Sequence, residues 1–208
     1  SNMSSGTIIT SRNFSTNQYV PYIVWMVGAT VTVYMSSDAA SWNVINGASG
    51  GTATINAWNH FALVRSGTAI KTYLNGIVQT AAATSSATFT NPSIPLNIGV
   101  SLNDSSPYFT GYITDLRIVK GTALYTSNFV PQFTAPLTAV TNTQLLTLQT
   151  NGTSNNQMFL DQSRVSNIIT KSGDVNNGTF SPYGDNWSVL FDGSSDYFTI
   201  NNFIYYIV

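Results

Sequence analysis

Alternation of apolar and polar residues is the main structural signal in this chain. Residues 31–36 alternate Val or Met with Thr, Tyr or Ser, a period of two that is typical of a half-buried strand. Residues 59–65 repeat it, with Phe61 and Leu63 on one face. No segment keeps a 3.6-residue period, so the pattern predicts an all-β chain with very little helix, one or two turns near residues 122–125.

Asn75-Gly76 is the sharpest local signal, because it lies between β-forming residues on both sides. Asn-Gly supplies the two positive-φ positions of a type I′ turn and predicts a hairpin here. Short strands with Gly, Asn and Ser between them favour a sandwich of two antiparallel sheets. Further strands are predicted at residues 7–11, 22–27, 96–99, 111–119, 145–148, 189–191, 197–200 and 203–208.

Composition removes several function classes. The 208 residues include no cysteine, which excludes disulfides and thiolate metal sites. Charged residues make up 7% and the net charge is −1, so we expect no nucleic-acid and no membrane partner. The first residues have neither the basic start nor the apolar stretch of a signal peptide, and we interpret Ser1-Asn2 as a cloning remnant.

Several motifs carry a resemblance to a known family. They are Trp-Asn-His-Phe-Ala-Leu-Val-Arg at 58–65, Tyr-Leu-Asn-Gly at 73–76, the hairpin at 36–44 and Gly-Tyr-Ile-Thr-Asp-Leu-Arg-Ile at 111–118. Taken together they resemble a laminin-G-like (LamG) domain of the concanavalin A-like lectin/glucanase class. The resemblance implies a concanavalin A-like jelly-roll sandwich of two antiparallel sheets.

The order of the motifs is rotated relative to that family. Residues 109–132 resemble the end of a LamG domain, whereas residues 145–148 and 180–198 resemble its beginning. Residues 125–129 and 180–198 are also similar to versions from marine bacteriophage structural proteins. The resemblance therefore implies one circularly permuted domain over residues 3–208.

In this interpretation residues 3–140 are the later part of the domain and residues 141–208 its opening strands. The Pro- and Thr-rich stretch at 131–142 joins the two parts, and residues 203–208 supply a core strand. Two alternatives stay open. The chain could hold one domain and the start of a second, or its last strands could complete a neighbouring molecule in a strand-swapped oligomer.

Catalytic groups of the expected kinds are missing. Glycosidases need paired carboxylates, and the enzymes of this class use a Glu-x-Asp-x-x-Glu arrangement, but the chain has no glutamate. A Ser-His-Asp triad would have to use His60, the single histidine. We expect His60 to be a half-buried, hydrogen-bonded structural residue, and the chain not to be an enzyme.

The resemblance also implies calcium, which prefers hard oxygen ligands. The candidate ligands are Asp115, Asp192 and Asp196. Each has a structural alternative. Asp115 could pair with Arg117 or cap a bend, and Asp192 and Asp196 could only stabilise the Gly-Ser-Ser turn between them through side-chain to backbone hydrogen bonds.

Aromatic side chains in turn-rich segments are candidates for stacking on sugars, namely Trp42, Tyr108 and Tyr183. The alternative is that the large aromatics form the core, which we expect for Trp58 and Trp187. Together with these aromatics, the resemblance implies a carbohydrate-binding or adhesion module, of phage or viral origin, on a virion or extracellular surface. Its partners would be a glycan or cell-surface polysaccharide and other virion proteins. The alternative is a structural spacer or decoration module without a small ligand.

Overall fold

The computed structural model describes residues 6–90, 93–105, 108–149, 160–184 and 187–203. These ranges contain fifteen strands and no helix, and therefore no helix that is long and apolar enough to cross a membrane. In chain order the strands are β1 (Gly6–Thr10), β2 (Ile23–Val27), β3 (Thr30–Met35), β4 (Ile45–Thr52), β5 (Phe61–Ser66), β6 (Ala69–Leu74), β7 (Ile77–Thr84), β8 (Leu96–Ile98), β9 (Thr110–Ile113), β10 (Leu116–Val119), β11 (Thr143–Thr147), β12 (Ile169–Ser172), β13 (Asn176–Gly178), β14 (Ser188–Asp192) and β15 (Tyr197–Ile200).

One layer is a seven-stranded antiparallel sheet with the order β12-β15-β8-β1-β2-β3-β4. The alternation predicted for β3 is confirmed, because Val31, Val33 and Met35 are buried while the residues between them are half-buried. At the centre of the sheet Ile98 pairs with Ile9 on one side and Phe198 on the other. Strands from distant parts of the chain thus share one sheet.

The opposite layer consists of three antiparallel pieces, β5-β6-β7, β10-β11 and β13-β14-β9. The single strand predicted at 111–119 is two strands, which belong to different pieces. Asp115 lies between them with a φ of 54°, a left-handed conformation that ends the ladder of β9.

The core lies between the two layers. Its larger cluster includes Leu96, Leu145, Phe191 and Phe198, all with no solvent exposure. A smaller cluster around Ile70 fills the space where β6 and β7 face β3. The predicted all-β sandwich is therefore confirmed.

Local predictions had mixed outcomes. The hairpin turn is confirmed, since Asn75 and Gly76 have φ values of 50° and 78° and Leu74 pairs with Ile77.

The predicted helical turn at 122–125 is wrong. The Tyr125 and Phe129 rings stack 3.8 Å apart, and the Phe129 N–H donates to the Gly76 carbonyl, so this segment bonds to a hairpin rather than to itself.

Strands from the later part of the chain enter both layers. β11 pairs with β10, β14 with β9, and β15 with β8. This pairing is compatible with a single permuted domain, which stays a prediction. Of the core strand predicted at 203–208, only Phe203 is described, and residues 204–208 lie outside the described ranges.

Candidate functional site

Three aspartates meet where the chain passes between the layers. Asp174 lies in the connection from β12 to β13, and Asp192 and Asp196 lie at the ends of the connection from β14 to β15. Both connections cross from the seven-stranded sheet to the opposite layer or back. Because β12 pairs with β15 and β13 with β14, the two crossings lie side by side. One carboxylate oxygen from each aspartate lies within 4.8 Å of the others.

Backbone hydrogen bonds fix this group. Asp196 is buried, and its two carboxylate oxygens accept the N–H groups of Asp174 at 3.0 Å and Asp192 at 3.1 Å. The Ser194 N–H donates to Asp192 Oδ1 at 2.6 Å, which is the predicted side-chain to backbone bond of this turn. Burial raises the pKa of Asp196, and the charges of Asp192 and Asp174 raise it further.

The chemistry of these ligands fits a hard cation. Calcium binds carboxylate oxygens, and a divalent cation would offset the mutual repulsion of three carboxylates. Of the predicted ligands, the structure joins Asp192 and Asp196 and adds Asp174, which sequence reasoning missed. Its only sequence signal was the Gly-Asp turn at 173–174, and nothing local ties that turn to residue 192.

Asp115 is not part of the group that contains Asp192 and Asp196. Its carboxylate accepts the N–H of Leu137 at 2.8 Å and a hydroxyl hydrogen bond from Tyr183. The guanidinium of Arg117 instead donates to the Thr138 carbonyl at 2.9 Å. Burial raises the pKa of Asp115, although these hydrogen bonds lower it in part. The bend-capping alternative thus describes Asp115, and the Tyr183 hydroxyl serves the same bend.

Trp42 lies in a cluster of three half-buried aromatic side chains with Tyr19 and Tyr34, which we call the aromatic cluster. The Trp42 ring is 5.2 Å from Tyr19, edge-on, and 5.3 Å from Tyr34. On β3, Tyr34 alternates with the buried Val33 and Met35, so it lies on the face of the seven-stranded sheet that points away from the core.

The loop that carries Trp42 is held by its own hydrogen bonds. Asp38 accepts the N–H groups of Ala40 at 2.9 Å and Ser41 at 3.0 Å, and these bonds lower its pKa to about 2. The Asn43 side chain accepts the N–H of Ser37 at 2.9 Å and donates to the Ser37 hydroxyl at 2.9 Å. The loop therefore presents Trp42 in a defined position.

The three predicted sugar-binding aromatics have different ring partners. Tyr108 is half-buried with its ring 6.4 Å from Tyr197, and Tyr183 lies edge-on to Trp187 at 6.2 Å. The described structure therefore does not gather Trp42, Tyr108 and Tyr183 into one cluster. Trp58 and Trp187, expected in the core, are half-buried, and Trp58 stacks on Phe180.

His60 is half-buried, as expected. Its imidazole lies edge-on to Tyr125 at 5.7 Å and to Phe129 at 5.3 Å. Burial lowers the pKa of His60, and the nearby charge of Arg117 lowers it further. The expected side-chain hydrogen bond is not seen at Nδ1, which is buried without a partner. The imidazole therefore packs edge-on against the Tyr125 and Phe129 rings.

Comparison with protein families matches residues 1–125 to the laminin G type of the concanavalin A-like lectin/glucanases superfamily. Comparisons with curated proteins and with solved structures gave no match. The matched range is more than half of the 208 residues and includes β1 to β10. The two-layered antiparallel architecture agrees with this match. The chain belongs to the concanavalin A-like lectin/glucanases superfamily.

Proposed function

We propose that this chain is a non-enzymatic carbohydrate-binding or adhesion module, and that it binds a neutral glycan at the aromatic cluster. The observation that carries the proposal is the half-buried Trp42 ring, held between Tyr19 and Tyr34 on a loop that its own polar groups stabilise. Aromatic faces contact the apolar faces of sugar rings, and a preformed loop reduces the ordering cost of binding.

The composition supports a neutral ligand. With 7% charged residues and a net charge of −1, the chain offers little long-range attraction for a charged polymer. The absence of glutamate supports binding without hydrolysis, because the sandwich enzymes of this class rely on glutamate pairs.

We also propose that calcium binds at Asp174, Asp192 and Asp196. The ion would link the two crossings between the layers and thereby stabilise the fold. The resemblance of residues 125–129 and 180–198 to phage proteins supports a place on a virion or phage tail. The circular permutation over residues 3–208 belongs to the same proposal.

A thermal-shift screen against a broad glycan panel, with calcium and with a chelator, tests both parts. A specific sugar should raise Tm by mass action, and calcium should raise Tm without any sugar. Loss of the calcium shift in Asp192→Asn, with the sugar shift retained, would separate the two sites. A flat response to every sugar would contradict the glycan proposal and favour the structural spacer.

The aromatic cluster is tested with Trp42→Ala. Loss of one stacked aromatic should weaken sugar binding by roughly tenfold or more, since about 1.4 kcal/mol corresponds to a factor of ten. Phe133→Ala is the matched control, because Phe133 is an aromatic residue with 39% exposure outside the cluster. Equal affinity losses in the two variants would place the glycan elsewhere.

A further inference from the structure

Asn-Gly dipeptides occur at residues 46–47, 75–76, 151–152 and 177–178. In this dipeptide asparagine converts readily to aspartate, because glycine has no side chain to shield its backbone nitrogen from the asparagine side chain. In a folded protein the conversion depends on how freely these two groups can meet. The pair at 151–152 lies outside the described residues, and the other three pairs have different surroundings.

The Asn75-Gly76 pair is held by hydrogen bonds. Asn75 Oδ1 accepts the His60 N–H at 2.9 Å, and Asn75 Nδ2 donates to Asn59 Oδ1 at 3.1 Å. The Gly76 carbonyl accepts the Phe129 N–H at 2.9 Å. The Asn75 side chain would have to break both of its bonds to turn towards the Gly76 nitrogen, so the fold protects this pair.

The Asn177-Gly178 pair lies within a strand. Asn177 of β13 pairs with Val189 of β14, and Gly178 pairs with Ser188. Asn177 is half-buried and Gly178 is buried. A methyl group on Gly178 would collide with the Ser188 hydroxyl and the Tyr112 ring. Strand pairing and close packing therefore oppose any rearrangement of this backbone.

The Asn46-Gly47 pair has neither protection. Both residues are exposed. They lie opposite the single residue Tyr34, where the register of β3 and β4 shifts, and so form a β-bulge, which takes one residue out of the ladder. No side-chain hydrogen bond ties Asn46 to another residue of the described ranges. The Asn46 side chain and the Gly47 nitrogen can therefore approach each other at little cost.

We propose that Asn46 is a self-modification site, at which the folded protein converts asparagine to aspartate and isoaspartate. The Gly47 nitrogen loses its proton to solvent and attacks the side-chain carbonyl carbon of Asn46. The new C–N bond closes a succinimide ring, and the bond to the amide nitrogen breaks, so that ammonia leaves. Water then opens the ring at either carbonyl. One opening gives aspartate and the other isoaspartate, in which the backbone runs through the former side chain.

The product lies beside the aromatic cluster. A methyl group on Gly47 would be 3.0 Å from the Tyr34 hydroxyl oxygen, so the Tyr34 side chain packs directly on the Gly47 backbone. Isoaspartate adds a carbon atom to the backbone at the bulge and therefore moves Gly47 relative to Tyr34. We expect this shift to loosen the packing of Tyr34 on Trp42. Any effect on glycan binding rests on the proposed function, whereas the conversion itself does not.

Peptide mapping of the full-length protein by mass spectrometry tests the proposal. The folded chain is incubated in mildly alkaline buffer, because the attacking nitrogen must lose a proton, and the products at Asn46, Asn75 and Asn177 are followed with time. Product at Asn46 should form at least about tenfold faster than at the other two sites, where hydrogen bonds or packing must first be broken. In denaturant, the matched control, the three rates should become similar.

The outcomes at the three sites distinguish the possibilities. Equal rates in the folded protein, or a faster rate at Asn75 or Asn177, would overturn the proposal. A folded rate at Asn46 well below its rate in denaturant would also overturn it, because the bulge would then protect the pair. Asn46→Gln keeps a side-chain amide but makes ring closure unfavourable, and this variant should form no product at residue 46.

Hydrogen-exchange mass spectrometry measures the effect on the aromatic cluster without any sugar. After incubation, wild-type protein should exchange faster at residues 42–49 than fresh protein, because the bulge opens more often. Incubated Asn46→Gln should be unchanged. Unchanged exchange in wild-type protein that carries the product would refute the effect on the cluster. A chain that converts Asn46 but binds no sugar would contradict the proposed function alone.

Discussion

In the seven-stranded sheet a backbone ladder joins every neighbouring pair of strands, whereas the opposite layer is divided into three pieces. Both layers are rich in β-branched and aromatic residues, so strand propensity does not distinguish them. The difference lies in how the strands are joined. The continuous sheet has Leu96, Phe198 and Ile200 buried near its centre, but β5 and β10 of the other layer are only half-buried.

The layer opposite the seven-stranded sheet, which consists of β5-β6-β7, β10-β11 and β13-β14-β9, is called here the interrupted layer, and side-chain acceptors hold its pieces. The Asp115 carboxylate accepts the N–H of Leu137, and Asn128 accepts the N–H of Val78. Asp161 accepts five hydrogen bonds and ties its loop to β11. We infer that the continuous sheet supplies most of the stability of the fold, whereas the interrupted layer depends on a few polar groups.

We expect the largest loss of stability from Phe198→Ala, in the continuous sheet. Phe198 has no solvent exposure, and its ring lies 5.6 Å from Phe191 across the core. Replacing a buried Phe by Ala costs about 3–5 kcal/mol of unfolding free energy. Denaturant unfolding measures this loss. Phe133→Ala is the matched control, and a comparable loss in that variant would contradict the central role of the continuous sheet.

Substitution of one hairpin glycine in each layer compares the stability of the two layers directly. Gly76, in the β6–β7 turn, has a φ of 78°, and a methyl group there would collide with the Phe129 carbonyl. Gly28, in the β2–β3 turn, has a φ of 57° but no atom within 4 Å of the methyl position. Gly28→Ala should cost only the backbone strain of about 1–2 kcal/mol, whereas Gly76→Ala adds overpacking of about 1–3 kcal/mol. Equal losses in denaturant unfolding would show that the 126–131 segment does not press on the hairpin.

The fold class is predictable from the sequence because strand periodicity and the Asn75-Gly76 turn are local signals. β4 escapes prediction because Gly and Ser occupy half of its eight residues and hide the alternation. Its register comes from pairing with β3. The division of residues 111–119 also escapes prediction, since it depends on the bend at Asp115, which the distant Leu137 and Tyr183 stabilise.

In the candidate sites too, sequence reasoning finds residues that are close along the chain and misses partners from distant segments. Asp192 and Asp196 are predictable as a pair because a turn brings them close, but Asp174 comes from another crossing and is placed by strand pairing. For Trp42 the only sequence signal is its turn-rich segment. Its two ring partners, Tyr34 and Tyr19, lie earlier in the chain, and no local pattern connects them to Trp42.

Asp161→Asn should have a smaller effect than Phe198→Ala or Gly76→Ala, and the clearest pH dependence. Burial tends to raise the pKa of Asp161, but the N–H groups of Leu146, Ser163 and Asn167 outweigh burial and lower it. A carboxyl group whose pKa falls on folding stabilises the protein above its unfolded pKa, near 3.8, and this contribution is lost as pH falls through the folded pKa.

At pH 7 we expect Asp161→Asn to lower the unfolding free energy by about 1–3 kcal/mol, because its amide accepts fewer of these hydrogen bonds. The gap between variant and wild type should narrow as pH falls below about 4. Denaturant unfolding at several pH values measures both. If the difference in unfolding free energy between the variant and the wild type stays constant with pH, the carboxylate charge does not hold this loop on β11. The interrupted layer would then gain its stability at Asp161 from packing alone.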